Sequence, residues 1–326
     1  MNDAVKTAPI QPTHFKANLF MFFLVAYNML MAATIGYLYR EVWQDSEILS
    51  GFFRSPWFMV AFQVAGLLLP LCAFCAISGE SLIKKTSSIK LRLQLDPKNI
   101  LLIIAISIVL QPFMMLVSAI GSLFLPNPVT DLVSGLSVLP VPQALIIVAV
   151  TPAILEELVF RGFIQSHYEG HPIAITAIVN GLFFGIVHMN LHQFTYAFFM
   201  GIVFAVMVYY TKSVFAGMLG HFVVNASQYL MGYAAVNHLE AIYSDYYGMS
   251  PLDTVPDRAV FIQAIWALGL ICLFILPLVV GLFYIFAKHN QSNLPVEQEL
   301  DDRKYPFDIA FFGVVAIFVL LMIGMM

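Results

Sequence analysis

The chain has 326 residues, 60% hydrophobic and only 10% charged, with 29 Phe, 16 Met and a mean hydropathy of +0.87. Soluble domains carry roughly 25% charged residues, so the composition excludes a soluble globular protein and points to an all-α polytopic membrane protein. The formal net charge of -4 says little, because in a membrane chain the placement of Lys and Arg matters more than their sum; nucleic acid is not an expected partner.

Residues 1–17 are polar and carry Lys6 and Lys16. The apolar run that follows, 18–39, is longer than a signal-peptide core and reads as an uncleaved first span. A crossing needs roughly 20 mostly apolar residues. On that rule spans are predicted over 18–39, 57–77, 99–125, 144–167, 173–191, 193–211, 213–235, 259–287 and 306–325, a bundle of about nine helices. The second contains Cys72 and Cys75, which lack a second pair and a polar setting. Packing is the expectation for them and for Cys272, rather than redox chemistry or metal binding.

The basic segment IKKTSSIKLRLQLDPK at 83–98 reads as attracted to anionic lipid rather than as a substrate-docking arm. With nine spans, the amino-terminal side collects Lys6, Lys16, Lys84, Lys85, Lys90, Arg92, Lys98, Arg161, Lys212, Lys288, Arg303 and Lys304, against Arg40, Arg54 and Arg258 opposite. That imbalance predicts a cytoplasmic amino terminus and an outside carboxyl terminus. The tyrosines of HLEAIYSDYYGMSPLDTVPD (238–257) are expected to form an interfacial belt.

The fourth, fifth and seventh spans hold polar groups that lipid should exclude. Glu156, Glu157 and Arg161 lie on the fourth, His188 on the fifth, and His221 with Asn225 on the seventh. An acid or Arg near a helix centre costs roughly 2.5 to 3.5 kcal/mol on an insertion scale, which makes such a group a functional candidate; interhelical glue is the alternative. Glu157 and Arg161 are four apart, in the favourable order for an ion pair on one face. Glu156 is rotated about 100° away and is left for chemistry. Asn180, Phe184 and His188 form one helical stripe, and Gly217, His221 and Asn225 another. Gly181 with Gly185, and Ala197, Gly201 and Ala205, supply small faces for close packing.

A turn at Glu169-Gly170-His171-Pro172 makes the fourth and fifth spans a hairpin and places Glu156 and His188 within about 6 Å in depth. Pro152 frees the carbonyl of Val148 and predicts a kink there. A carboxylate and an imidazole facing a buried water can share removal of its proton, and a second His with an Asn amide can supply donors to an oxyanion. Such a set suits amide hydrolysis without a Ser or Cys nucleophile. The same atoms Glu156, His188 and His221 could instead hold Zn²⁺ with an open position, although HExxH is absent and the pair His188 and His192 reads HMNLH. His192 is expected at the interface, and His14, His167, His171 and His238 at boundaries or in loops.

EELVFRG (156–162), FGIVH (184–188) and HFVVN (221–225) resemble the three ordered motifs of the CPBP family, which includes the type II CAAX prenyl endopeptidases, bacteriocin-processing enzymes and abortive-infection proteins. The resemblance implies Glu156 and His188 as the pair activating water, His221 and Asn225 as the oxyanion site, Glu157 and Arg161 in support, and Phe184 as a pocket wall. It implies a single membrane domain over 1–326 with a catalytic core at 144–235 and accessory helices at 18–125 and 259–325. The expected activity is that of an intramembrane endopeptidase acting on a peptide or membrane-protein substrate, of CAAX type or in leader or bacteriocin maturation, with no cofactor required. A zinc-dependent protease, a non-catalytic immunity or binding scaffold, and a proton-coupled transporter are the alternatives. The last would be expected to show related halves, and none stands out. The location implied is multi-pass in a lipid bilayer, the plasma membrane for a bacterial host; substrate and oligomeric state stay open.

Overall fold

The computed structural model describes residues 13–43, 46–236, 258–293 and 306–325, among which the chain is helical with no β-strand. The tyrosine-rich stretch 238–257, with His238, and the basic residues Lys6, Arg303 and Lys304 lie outside the described residues. Among the described residues, six helices are long and apolar enough to cross a membrane. They are α1 (His14–Trp43), α3 (Trp57–Ser78), α4 (Pro97–Ser122), α6 (Val141–His167), α8 (Leu191–Thr211) and α10 (Arg258–His289). Between and after them lie α2 (Glu47–Arg54), α5 (Pro128–Leu136), α7 (Ile173–Ile186), α9 (Val214–Ala234) and α11 (Ile309–Met325). The six match six of the nine predicted spans. The fifth and ninth spans correspond to shorter apolar helices, and α9, the seventh, carries His221, Asn225, Ser227 and Gln228 along its length.

Local chemistry sets the boundaries. Gly79 closes α3 at φ +69 and Gly170 turns the chain at φ +100, conformations open to residues without a Cβ. Asn190 caps α8 by accepting from the Gln193 amide at 2.9 Å, as expected for an N-cap. Pro172 sits immediately before α7, so the predicted hairpin between α6 and α7 is present.

The packing centre is the α7–α8 pair. A Cβ on Gly201 would lie 2.6 Å from the Gly181 Cα, and one on Gly181 would lie 2.6 Å from the Phe198 carbonyl oxygen. The two glycines therefore allow backbone contact, the small-residue device of membrane helix pairs. Helix α6 lies across this pair, with i→i+5 turns at Ile146–Val150 and Leu158–Ile164 on either side of Thr151–Glu157. Such wide turns occur often at functional sites.

The basic segment after α3 is docked by its main chain. Lys90 N–H donates to the Lys212 carbonyl and Val214 N–H to the Lys90 carbonyl, both at 3.0 Å. Lys84 N–H reaches Ser166 Oγ, and Ser88 is held by the Glu169 carboxylate. The segment thus ties the α6–α7 turn to the α8–α9 turn. Cys72, Cys75 and Cys272 are free thiols.

Candidate active site

The wide turns of α6 present Glu156 and Glu157 to different surroundings. Glu157 is completely buried, and its Oε1 accepts from Arg161 Nη1 at 2.8 Å and from His221 Nδ1 at 3.1 Å. A carboxylate only accepts, so Nδ1 of His221 carries a proton. Arg161 is also fully buried; its Nη2 donates to the Gly201 carbonyl at 3.0 Å, and its guanidinium lies 4.7 Å from the Phe184 ring and 5.3 Å from the Phe204 ring. Cation–π contact of this kind offsets part of the desolvation of a buried charge.

Glu156 points elsewhere. Its side chain is 13% exposed, and its Oε2 lies 4.0 Å from His221 Nε2, an ion-pair distance too long for a hydrogen bond. The polar groups form one chain: Arg161, Glu157, His221, Glu156. His188 is not in it. Its Nδ1 bonds the Phe184 carbonyl at 2.7 Å, so Nδ1 is the protonated nitrogen and Nε2 is left as an acceptor. No direct bond joins Glu156 to His188, and the nearer imidazole to Glu156 is His221.

Asn225 Nδ2 donates to the Val148 carbonyl at 3.0 Å. That carbonyl is the one Pro152 leaves without a helical donor, so the kink and the amide are parts of one arrangement. One N–H of Asn225 is committed there and the second is available. Phe184 is 2% exposed, with its ring 5.3 Å from that of His188 and 5.6 Å from that of His221.

Glu156, His188, His221, Asn225 and Phe184 line one cavity of about 400 Å³. Its other wall comes from α1, α3 and α5, through Asn28, Met59, Phe62, Gln63, Leu132 and Val133 among others. Gln193 and Tyr196 on α8 and Gln228 on α9 also face it. These residues were missed from sequence. Only Gln228, three residues beyond Asn225 on its stripe, carried a readable signal. Phe204, stacked on His221 at 5.2 Å, carried none.

One histidine expectation is corrected. His192 is not interfacial: it is 1% exposed and its Nε2 bonds Ser122 Oγ at 2.9 Å, because α4 packs over the start of α8 and Gly121 leaves room for the ring. His167 stands at the carboxyl-terminal boundary of α6, as expected, and is fully buried there, with Nδ1 on the Phe163 carbonyl at 2.8 Å. Among the described residues, no group of three or more His, Cys, Asp or Glu side chains is arranged to hold a metal ion.

The stretch carrying Glu156, His188, His221 and Asn225 matches a family model described as type II CAAX prenyl endopeptidase Rce1-like, over residues 138–227. This segment is Rce1-like. The match supports the CPBP resemblance read from the three motifs, and the family suggests a membrane-embedded protease. The Rce1-like segment is under a third of the chain, and α1, α3, α4, α5, α10 and α11 lie outside it. No curated protein and no solved structure matches the chain.

Proposed function

We propose that the chain is an intramembrane endopeptidase that hydrolyses a peptide bond by activated water, with Glu156 and His188 as the activating pair. The observation that carries this is the convergence of Glu156 on α6, His221 and Asn225 on α9, and His188, in the turn just beyond the end of α7 rather than on the helix as expected, on one cavity.

Two carboxylates and one guanidinium leave the buried chain Arg161, Glu157, His221, Glu156 with one negative charge. A single proton, placed on His221 or on Glu156, makes it neutral. In the proposed step, Glu156 takes a proton from water with His188 Nε2 as the second acceptor, and the water oxygen bonds to the substrate carbonyl carbon. Negative charge then develops on the carbonyl oxygen, where the uncommitted N–H of Asn225 and a protonated His221 Nε2 donate. The carbon–nitrogen bond breaks as the transferred proton passes to the departing amine, giving a carboxylic acid and an amine. Glu157 holds His221 in its tautomer, and Arg161 neutralises Glu157.

The metal-free reading is proposed, with no step routed through zinc; in its support, no group of three metal-ligating side chains is found among the described residues. The substrate is proposed to be a peptide or membrane-protein segment, with CAAX-type maturation named by the family model alone. The amino terminus is proposed to be cytoplasmic. In support, Lys16, paired with Glu80, and the segment carrying Lys84, Lys90 and Arg92 gather at the α6–α7 and α8–α9 turns.

The test is cleavage of a quenched peptide library that includes a prenylated CAAX peptide, by the parent and by Glu156→Gln, each with and without chelator. Cleavage lost in the mutant and kept with chelator is expected. Undiminished cleavage by Glu156→Gln would refute Glu156 as the base, and loss with chelator would refute the metal-free reading.

A further inference from the structure

The cavity wall opposite Glu156 is built by α3, which packs against the stretches of α6 that precede and carry that residue. Met59, Phe62, Gln63, Gly66 and Leu67 line the cavity, at positions i, i+3, i+4, i+7 and i+8 of one helical face. Gln63 is the single polar side chain on that face, immediately before the i→i+5 turn Val64–Leu68. Its Oε1 is buried and has no hydrogen-bond partner.

Interhelical glue is the ordinary role for an amide on a membrane helix, and neighbouring amides show what glue looks like. Asn28, also on the cavity wall, donates to the Leu24 and Gly66 carbonyls at 2.9 Å each, and so fastens α1 to α3. Gln111 and Gln165 likewise have an unpaired Oε1, but their Nε2 atoms bond the carbonyls of Val224 and Ala205, and neither lines the cavity. Gln63 does no such fastening.

A peptide can be cleaved only when its scissile carbonyl is out of a helix, and an extended segment exposes N–H and C=O groups that need partners at membrane depth. A glutamine amide, with one acceptor and one donor group, can meet both. We infer that Gln63 is a substrate-positioning residue, whose amide turns from its shielded position so that Oε1 accepts a backbone N–H of an extended peptide lying between α3 and the Glu156 wall. This rests on the endopeptidase reading and adds a substrate bond from outside the Rce1-like segment.

The experiment is N-methyl scanning. A cleaved peptide is synthesised in versions that each carry one methylated backbone nitrogen near the scissile bond, and KM and kcat are measured for the parent, Gln63→Met and Gln63→Leu. Removing one N–H hydrogen bond should raise KM about tenfold at nearly constant kcat, as for a bond made equally in the ground and transition states. One methylated position should therefore be penalised about tenfold in the parent and should lose that penalty in both variants. The methylated peptides interrogate the parent itself, so a poorly folded variant leaves the first half of the result readable.

A parent that tolerates methylation at every position, or variants that keep the parent's pattern of penalties, overturns the inference while dependence on Glu156 leaves the endopeptidase reading standing. A parent that cleaves no peptide, and whose Glu156→Gln form binds none by fluorescence anisotropy, overturns both.

Discussion

Gly217→Ala should damage the site without replacing any residue that carries a charge. A Cβ built on Gly217 would lie 2.3 Å from Glu157 Oε2 and 3.1 Å from Val208 Cγ2. Ordinary contact begins near 3.4 Å, so the carboxylate has to retreat by about 1 Å. It has little room, because its other oxygen is held at 2.8 Å by Arg161 and at 3.1 Å by His221. Overpacking of this kind costs about 1 to 3 kcal/mol, and weakening a hydrogen bond to a charged group costs about 1.5 to 3 kcal/mol more. The drop in stability is expected at about 3 kcal/mol, read as a fall in melting temperature in detergent. A 1 Å misplacement of His221 is expected to lower kcat about 10²-fold on the peptide that the parent cleaves. Gly220→Ala is the milder comparison, since its Cβ would meet Met207 Sδ at 3.0 Å and the Phe204 ring at 3.3 Å, and it should cost less on both readouts. Parent-like melting and cleavage in Gly217→Ala would refute the claim that α9 is held against the Glu157 carboxylate.

Arg161→Met leaves Glu157 buried without its counter-ion and should destabilise by about 3 to 5 kcal/mol; adding Glu157→Gln should recover most of that stability in the same melting assay. Asn225→Ala removes the donor to the Val148 carbonyl and should cost about 1 to 3 kcal/mol, with a kcat drop of about 10² to 10³ if its second N–H serves the oxyanion. Adding Pro152→Ala restores a backbone donor four residues from Val148, so it should regain stability but not kcat. His171, in the α6–α7 turn beside His14, has its ring pushed down to about 4 by burial and by that neighbouring His. The unfolded ring protonates near 6.5, so the unfolded state binds more protons between about pH 4 and 6.5, and stability should fall as pH drops through that window. His171→Gln should flatten that part of a melting-temperature profile against pH.

Sequence periodicity was enough to separate the two glutamates, because an i, i+4 relation on a helix survives whatever tertiary packing follows. It placed Glu157 with Arg161 and left Glu156 apart, and the geometry agrees. The three motifs lie on helices that meet because turns of a few residues join α6 to α7, α7 to α8 and α8 to α9, which makes their proximity readable from the chain. The bond between His221 and Glu157 was not readable. It depends on the axial offset between α6 and α9, which Gly217 fixes and no spacing encodes. Nor could the α3 wall be foreseen, since nothing in the sequence of α3 says which distant helix its Gln63 face meets. His192 was misplaced because a polar residue near a helix start looks interfacial until α4 is known to cover it.

The bond from Arg161 to the Gly201 carbonyl has a mechanical consequence. Sliding α8 against α6 by one turn would carry that carbonyl about 5.4 Å from the guanidinium and separate Gly201 from Gly181, where the backbones touch. The three helices α6, α7 and α8 therefore move as one body. Any change in the width of the cavity is expected on the α3 side, where Met59, Phe62 and Leu67 present apolar side chains, since α5 is tied to α9 by the Tyr229 hydroxyl donating to the Leu136 carbonyl.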